Sequence, residues 1–455
     1  MSNDLVVVLP GILGSTLRSR DGLVWAPSSG AVLNAIKTFG RSITRLRVSD
    51  GVGDGPADDG VEPVALMPDF HVLPGVWTPL KGYDKLVERL ENIGFTERAG
   101  NLVLFPYDWR LSNRYNAGRL KSVVQNALGR HRERHPNAKV VFVCHSMGGL
   151  IARWYIEKCG GHEVTAKLIT IGTPYRGAAK ALGQLVNGTD LKIDRLSEDF
   201  TNFARSMPSL HQLMPEYACI EGPEHYLRTT EVDLPDLKTL MVADAMKFHQ
   251  ELHAAEKARQ ASLDSTHAIL GVRQPTATTA QLVGGRIIPL PTYNGEELFG
   301  DATVPLVGGA RPDVDLDSSR LKRVVEQHTS LQADRAVLDE IEGIITAKKI
   351  QVMGVADTKP RVTVPDLMMY PEKLPVSIDM DEKERRGLKI TVKDEHGADV
   401  RVRTPRVTST HIETEFDGLA PGAYTVTVGG LAFGSPVVPV TGGVLVVDPQ
   451  ELIAD

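Results

Sequence analysis

The stretch Val140-Val141-Phe142-Val143-Cys144-His145-Ser146-Met147-Gly148-Gly149-Leu150 decides the fold. Its apolar, β-branched start reads as a strand buried on both faces. A lone serine follows, and a helical pattern, Leu150-Ile151-Ala152-Arg153-Trp154-Tyr155-Ile156, leaves at once. A strand that turns sharply into a helix lifts the side chain at the turn above the sheet, and it needs small residues two before and two after. Cys144 and Gly148 hold those places. Glycine is usual at the first, so the pattern here is C-x-S-x-G, with cysteine a small substitute. Ser146 is therefore the candidate nucleophile.

Before this turn lies the strand Leu5-Val6-Val7-Val8-Leu9, which runs into Pro10-Gly11-Ile12-Leu13-Gly14-Ser15. The loop reads either as an ordinary turn or as an oxyanion loop offering the N–H of Ile12. No phosphate-binding G-x-G-x-x-G or lysine-ended loop is present. Ser49 to Gly60 is dominated by glycine and aspartate, but Asp50, Asp54, Asp58 and Asp59 lack the spacing of an EF-hand, so a solvated acidic loop is expected. Helical spacing follows over Gly82 to Leu90. A buried strand is expected over Asn101 to Phe105, and Asp108 and Arg110 after it read as a loop-fixing pair. A second helix runs through Ala117 to Leu128, ahead of basic residues 130–134. The strand Ala166 to Ile171 and the loop Gly172-Thr173-Pro174-Tyr175-Arg176-Gly177 come after the nucleophile helix. Strands alternating with helices predict an α/β fold, a mostly parallel sheet with helices on both faces. Ligands on such sheets sit at the carboxyl ends of the strands, where the Ile12, Ser146 and Gly172 loops converge.

From about 185 to 265 the strand pattern gives way to helical, charged sequence, which predicts a helical cap insertion that excludes water from the reaction. Strand sequence returns at His267 to Val272, followed by Gly300-Asp301-Ala302-Thr303-Val304 and by Arg323 to Leu331 with His328 near its end. The order Ser146, Asp301, His328 is that of an α/β-hydrolase triad. The rival acids Asp190, Asp313 and Asp315 lack a strand-exit setting or a fitting interval. In these roles His328 removes the Ser146 proton, Asp301 orients the imidazole, and the N–H groups of Ile12 and Met147 receive the oxyanion. His145 reads as a packing residue. Trp25, Trp109 and Tyr175 are the expected substrate contacts.

These residues resemble the lecithin:cholesterol acyltransferase-like α/β-hydrolases, a family that includes lysosomal-type phospholipases and phospholipid:diacylglycerol acyltransferases. The resemblance rests on residues 9–15, Tyr107-Asp108-Trp109-Arg110, His145-Ser146-Met147-Gly148, Gly172 to Gly177, Gly300 to Val304, and His328, and it spans about residues 3–346. It implies an acyl-ester hydrolase or acyltransferase acting on lipids, with Ser146, Asp301 and His328 as triad and Ile12 and Met147 as oxyanion donors. Members of the family commonly carry a disulfide-pinned lid near the N-terminus. Here the three cysteines are Cys144, Cys159 and Cys219, none of them near Trp25.

The 455 residues suffice for one large domain and a smaller one. The catalytic part is expected over 1–348, a linker over 349–378, and an immunoglobulin-like all-β sandwich over 379–455, where Leu388 to Val392, Ala423 to Val428 and Val444 to Val447 read as strands. The acidic residues Asp379, Asp381 and Glu382 read as a solvated turn. A net charge of −6 argues against nucleic acid as a partner. Few, unpaired cysteines and an opening without a charged head and long apolar core predict a cytoplasmic protein. No cofactor or metal is expected. The partners expected are a lipid or other acyl-ester substrate, a transient membrane contact through the cap, and a protein bound by the β-sandwich. The functional reading is a serine hydrolase of phospholipase or lipase type. Its alternatives are acyl transfer to an alcohol, and a non-catalytic binding protein on a hydrolase scaffold.

Overall fold

In the computed structural model the described residues are 3–20, 22–25, 46–49, 53–68, 71–73, 77–80, 82–188, 194–259, 265–312, 314, 316, 321–347, 359–381, 387–431, 435, 437–448 and 450. Six strands, β1 (Leu5–Leu9), β2 (Leu102–Leu104), β3 (Val140–His145), β4 (Thr165–Ile171), β5 (Ser265–Gly271) and β6 (Leu321–Val324), form one sheet in the order β6-β5-β4-β3-β1-β2. All its pairings are parallel. The helices that concern the sheet and its cap are α1 (Asp84–Asn92), α2 (Asn113–Arg132), α3 (Met147–Lys158), α4 (Ala179–Asn187), α5 (Asp194–Ser206), α6 (Thr239–Ala258) and α7 (Arg335–Thr346).

The period of two along β1 and β3 explains why helices cover both faces. Leu5, Val7, Leu9, Val140, Phe142 and Cys144 share one core with residues of α2 and α3. Val6, Val8, Val141 and Val143 face the other way and pack with residues of α1 and α7. Every residue of β1 is fully buried, and each such side chain contributes about 2 kcal/mol. Strand order reverses between β1 and β3, so a crevice opens at their carboxyl ends.

The cap differs from the expected helical insertion. It contains α4, α5 and α6, but also a four-stranded sheet made of Tyr226–Leu227, Ile220–Glu221, Thr279–Val283 and Arg286–Leu290. Half of that sheet lies beyond residue 265, in a hairpin whose turn places Gly284 and Gly285 at positive φ. Its first strand pairs with Ile220 in parallel, a contact that local sequence does not announce.

The C-terminal part is a β-sandwich. A three-stranded sheet (Arg361–Thr363, Leu374–Asp379, His411–Phe416) faces a five-stranded one (Leu367–Met369, Val440–Val447, Gly422–Gly430, Leu388–Asp394, Asp399–Arg403). Leu374, Val376, Ile378, Leu388, Ile390, Val426, Val428, Val444 and Val446 are among its core residues. Residues 361–363, 367–369 and 374–378 are thus strands, although they fall in the stretch expected as linker; residues 349–358 of that stretch lie outside the described residues.

This β-domain packs on the α/β domain. Leu445, Val447 and Met369 belong to the large core of that domain. Gln274 and Gln327 hydrogen-bond to the backbone of Pro360 and Val362, and Ser330 Oγ donates to the Thr441 carbonyl. Asp381 pairs with Arg273 and Arg361 and Asp379 with His411, so these acids are ion-paired; Glu382 lies outside the described residues. No described helix is long and apolar enough to cross a membrane. The three thiols are free.

Candidate active site

Ser146 stands between the end of β3 and the first residue of α3, with φ 51° and ψ −125°. A non-glycine residue is held there only when its surroundings fix it. Its N–H donates to the Ile171 carbonyl at 2.8 Å, and Thr173 Oγ1 donates to the Ser146 carbonyl at 2.9 Å. The turn also needs close approach of α3 to β1: a Cβ on Gly148 would lie 2.4 Å from the Pro10 carbonyl oxygen. Cys144, two residues before the serine, points into the apolar core, where burial drives its thiol pKa well up. A small apolar side chain meets that demand as glycine would.

His328 Nε2 lies 2.9 Å from Ser146 Oγ, and His328 Nδ1 lies 2.7 Å from Asp301 Oδ2. The structure therefore brings Ser146, Asp301 and His328 together in a buried row. Asp301 is not the end of a strand of its own. It is bridged to Gln274, just past β5, and its Oδ1 accepts the N–H groups of Thr303 and Val304 at 3.0 and 2.6 Å. The same residue's carbonyl accepts the His328 N–H at 2.7 Å. With Asp301 accepting, the Nδ1 proton of His328 points at the carboxylate and leaves Nε2 to accept from serine. Gly172, at φ 57°, lies against this pair: a Cβ there would sit 3.1 Å from His328 Nδ1 and 3.2 Å from Asp301 Oδ2. The alternative acids Asp190, Asp313 and Asp315 lie outside the described residues.

Ile12 and Met147 are both buried at the carboxyl ends of β1 and β3. Neither N–H has an acceptor among the described residues, and Met147 begins α3, where the first-turn N–H groups are free and the helix end is electropositive. The loop carrying Ile12 is pinned on every side by buried aromatic residues. Tyr107 donates to the Pro10 carbonyl at 2.8 Å, Trp25 Nε1 to the Leu13 carbonyl at 2.9 Å, and the Gly11 N–H to the Tyr83 hydroxyl at 2.7 Å.

Trp25, Trp109 and Tyr175, expected at the substrate, are all buried and engaged inside the protein. Trp25 and Trp109 meet edge to face at 5.7 Å, Trp109 Nε1 donates to the Ser15 carbonyl, and Tyr175 lies under the Arg153 guanidinium at 4.3 Å. Asp108 and Arg110 do fix a loop. The buried Arg110 holds Asp108 through two nitrogens and reaches Asp59 at 2.7 Å. Asp59 is therefore an ion-pair partner rather than a solvated acid of the 49–60 loop, and Asp50 lies outside the described residues. A cleft borders Asp301, Thr303, Gln327 and His328 on one side and Val362 and Asp366 of the β-domain on the other. Tyr83 and Thr276, whose Oγ1 accepts the Ala302 N–H, were not distinguishable in sequence because their partners are far along the chain.

Residues 76–260 match the family model of lecithin:cholesterol acyltransferase. Over that segment the chain is similar to the lecithin:cholesterol acyltransferase family, and the fold around it is that of an α/β-hydrolase. The matched segment holds Ser146 and Met147 but stops short of Asp301 and His328. Among solved structures, the Bacillus licheniformis lipase BlEst2 is similar in its mature form (12% identity, 75% of this chain and 91% of that chain covered, TM-score 0.35). Its propeptide form is similar at 11% identity, with 97% of this chain and 92% of that chain covered and a TM-score of 0.37. Comparison with curated proteins gives no match.

Proposed function

We propose that this protein is a serine hydrolase of lipid acyl esters, of phospholipase or lipase type, working through an acyl-enzyme on Ser146. The observation that carries the reading is the row Ser146 Oγ, His328 Nε2, His328 Nδ1, Asp301 Oδ2, with contacts of 2.9 and 2.7 Å. The family match supports the class, an enzyme acting on lipid esters as hydrolase or acyltransferase.

In this reading His328 takes the serine proton as Oγ attacks the ester carbonyl, then returns it to the departing alcohol. Asp301 keeps the imidazole in the required tautomer and stabilises the imidazolium. The Ile12 and Met147 N–H groups receive the oxyanion, each worth about 3 kcal/mol in the transition state. Water completes the cycle by the same route. An alcohol in place of water makes the protein an acyltransferase, the reading that the name of the matched family favours.

Incubation with a mixed panel of phospholipids, acylglycerols and alcohol acceptors, with fatty acid, lysolipid and new ester measured together, tests this. Release of fatty acid supports hydrolysis, new ester supports transfer, and turnover of no ester by folded protein contradicts both.

A further inference from the structure

The residue before the nucleophile does more than fill space. His145 and Tyr83 are buried, and their polar atoms form a chain in which each donor is fixed by the one before. The Tyr83 hydroxyl accepts the Gly11 N–H at 2.7 Å, so its own proton goes to the other neighbour, His145 Nδ1, at 2.9 Å. Because Nδ1 accepts, the His145 proton sits on Nε2, which donates to the His328 carbonyl at 3.2 Å. Only one arrangement of protons satisfies all three contacts.

The chain joins the three parts of the proposed machinery. One end holds the residue adjoining Ile12, the middle adjoins Ser146, and the other end holds the backbone of His328. Burial, aided by the nearby His328 ring at 5.1 Å between centroids, pushes the His145 pKa down to about 3. His145 thus stays neutral while its neighbour becomes imidazolium, and its Nε2–H keeps donating to the His328 carbonyl throughout.

We propose that Tyr83 and His145 are positioning residues that lock the oxyanion loop and the His328 backbone to the nucleophile turn through this one-way hydrogen-bond chain. The proposal rests on the serine-hydrolase reading above. Without the tyrosine hydroxyl, the Gly11 N–H and His145 Nδ1 lose their shared partner, and the Ile12 N–H loses its registration with the substrate oxygen. The ground-state complex, which makes no use of that N–H, is unaffected.

The test uses the full chain with p-nitrophenyl butyrate as substrate and a trifluoromethyl ketone of matching acyl length as a tetrahedral mimic. For Tyr83→Phe, kcat falls by about 10- to 100-fold, the range a small misplacement of reacting groups produces, with KM within twofold. The inhibition constant of the ketone rises by a similar factor. A kcat within twofold of the parent, or a loss of kcat that leaves ketone binding unchanged, overturns the proposal. Wild-type protein that neither hydrolyses the ester nor reacts with a fluorophosphonate would instead remove the reading on which the proposal rests. Nitrogen-15 NMR of histidine-labelled wild-type protein adds a test that needs no variant. It should find His145 neutral with its proton on Nε2 from pH 8 to pH 5, and a proton on Nδ1 would refute the chain.

Discussion

Acidification should destabilise this protein well above the carboxylate range, because three histidines are buried neutral. His145 donates Nε2–H to the His328 carbonyl, His211 donates Nδ1–H to the Met207 carbonyl, and His249 donates Nε2–H to the Gln212 carbonyl. Burial is the leading cause of each shift, from an ordinary 6.5 to about 3 for His145 and about 4 for His211 and His249. Between 6.5 and these values the unfolded chain binds protons that the native state refuses, so stability falls as pH falls through that window and levels off only near 3 to 4. At about 1.4 kcal/mol per pH unit, each histidine costs about 2 kcal/mol between pH 6.5 and 5, or about 6 kcal/mol for the three. That is a large share of the roughly 5–15 kcal/mol that stabilises a typical domain. Urea unfolding at pH 7 and pH 5 measures it. The midpoint should drop sharply at pH 5, and His249→Gln should remove about a third of the drop. An equal midpoint at both pH values would refute the reasoning.

Three further outcomes follow from packing. Arg110→Ala should cost about 3–5 kcal/mol, because it leaves the buried Asp108 carboxylate without its cation; thermal unfolding with less than a 1 kcal/mol change, well below that range, would contradict the pairing. Gln274→Leu removes both side-chain contacts to Pro360 and Val362. It should lower stability by about 2 kcal/mol and raise the rate of proteolysis between hydrolase and β-domain, and unchanged proteolysis would show that the contacts do not hold the domain. Cys144→Ala should keep kcat within about twofold while costing about 1 kcal/mol of stability, and full loss of activity in folded protein would give the thiol a part in the chemistry.

The sheet was legible because β1 and β3 carry unbroken apolar runs that only a strand covered on both sides tolerates, and because Ser146 follows the second run at once. What escaped reading depends on distant partners. The hairpin over 279–290 belongs to the cap only through its pairing with Ile220. Tyr83 reads as the residue before a helix, and nothing local shows that it meets Gly11 and His145. The role of the β-domain had a local sign that alternation obscured. Residues Val444, Leu445, Val446 and Val447 are all apolar and all buried; Val444 and Val446 face the sandwich core, while Leu445 and Val447 face the hydrolase. A strand apolar on both faces announces a second covered surface. Asp301 was reached by its motif and interval, but its setting beside Gln274 past β5 is a matter of the tertiary fold.

The central claim, that Ser146 is a nucleophile activated by His328 and Asp301, is tested most directly by reacting folded protein with a fluorophosphonate and locating the adduct by peptide mass spectrometry. The account predicts one adduct, on Ser146, with labelling abolished in Ser146→Ala and ester turnover lowered by about six orders of magnitude in that variant. Folded wild-type protein that stays unlabelled, or an adduct on another serine with activity intact in Ser146→Ala, would contradict it.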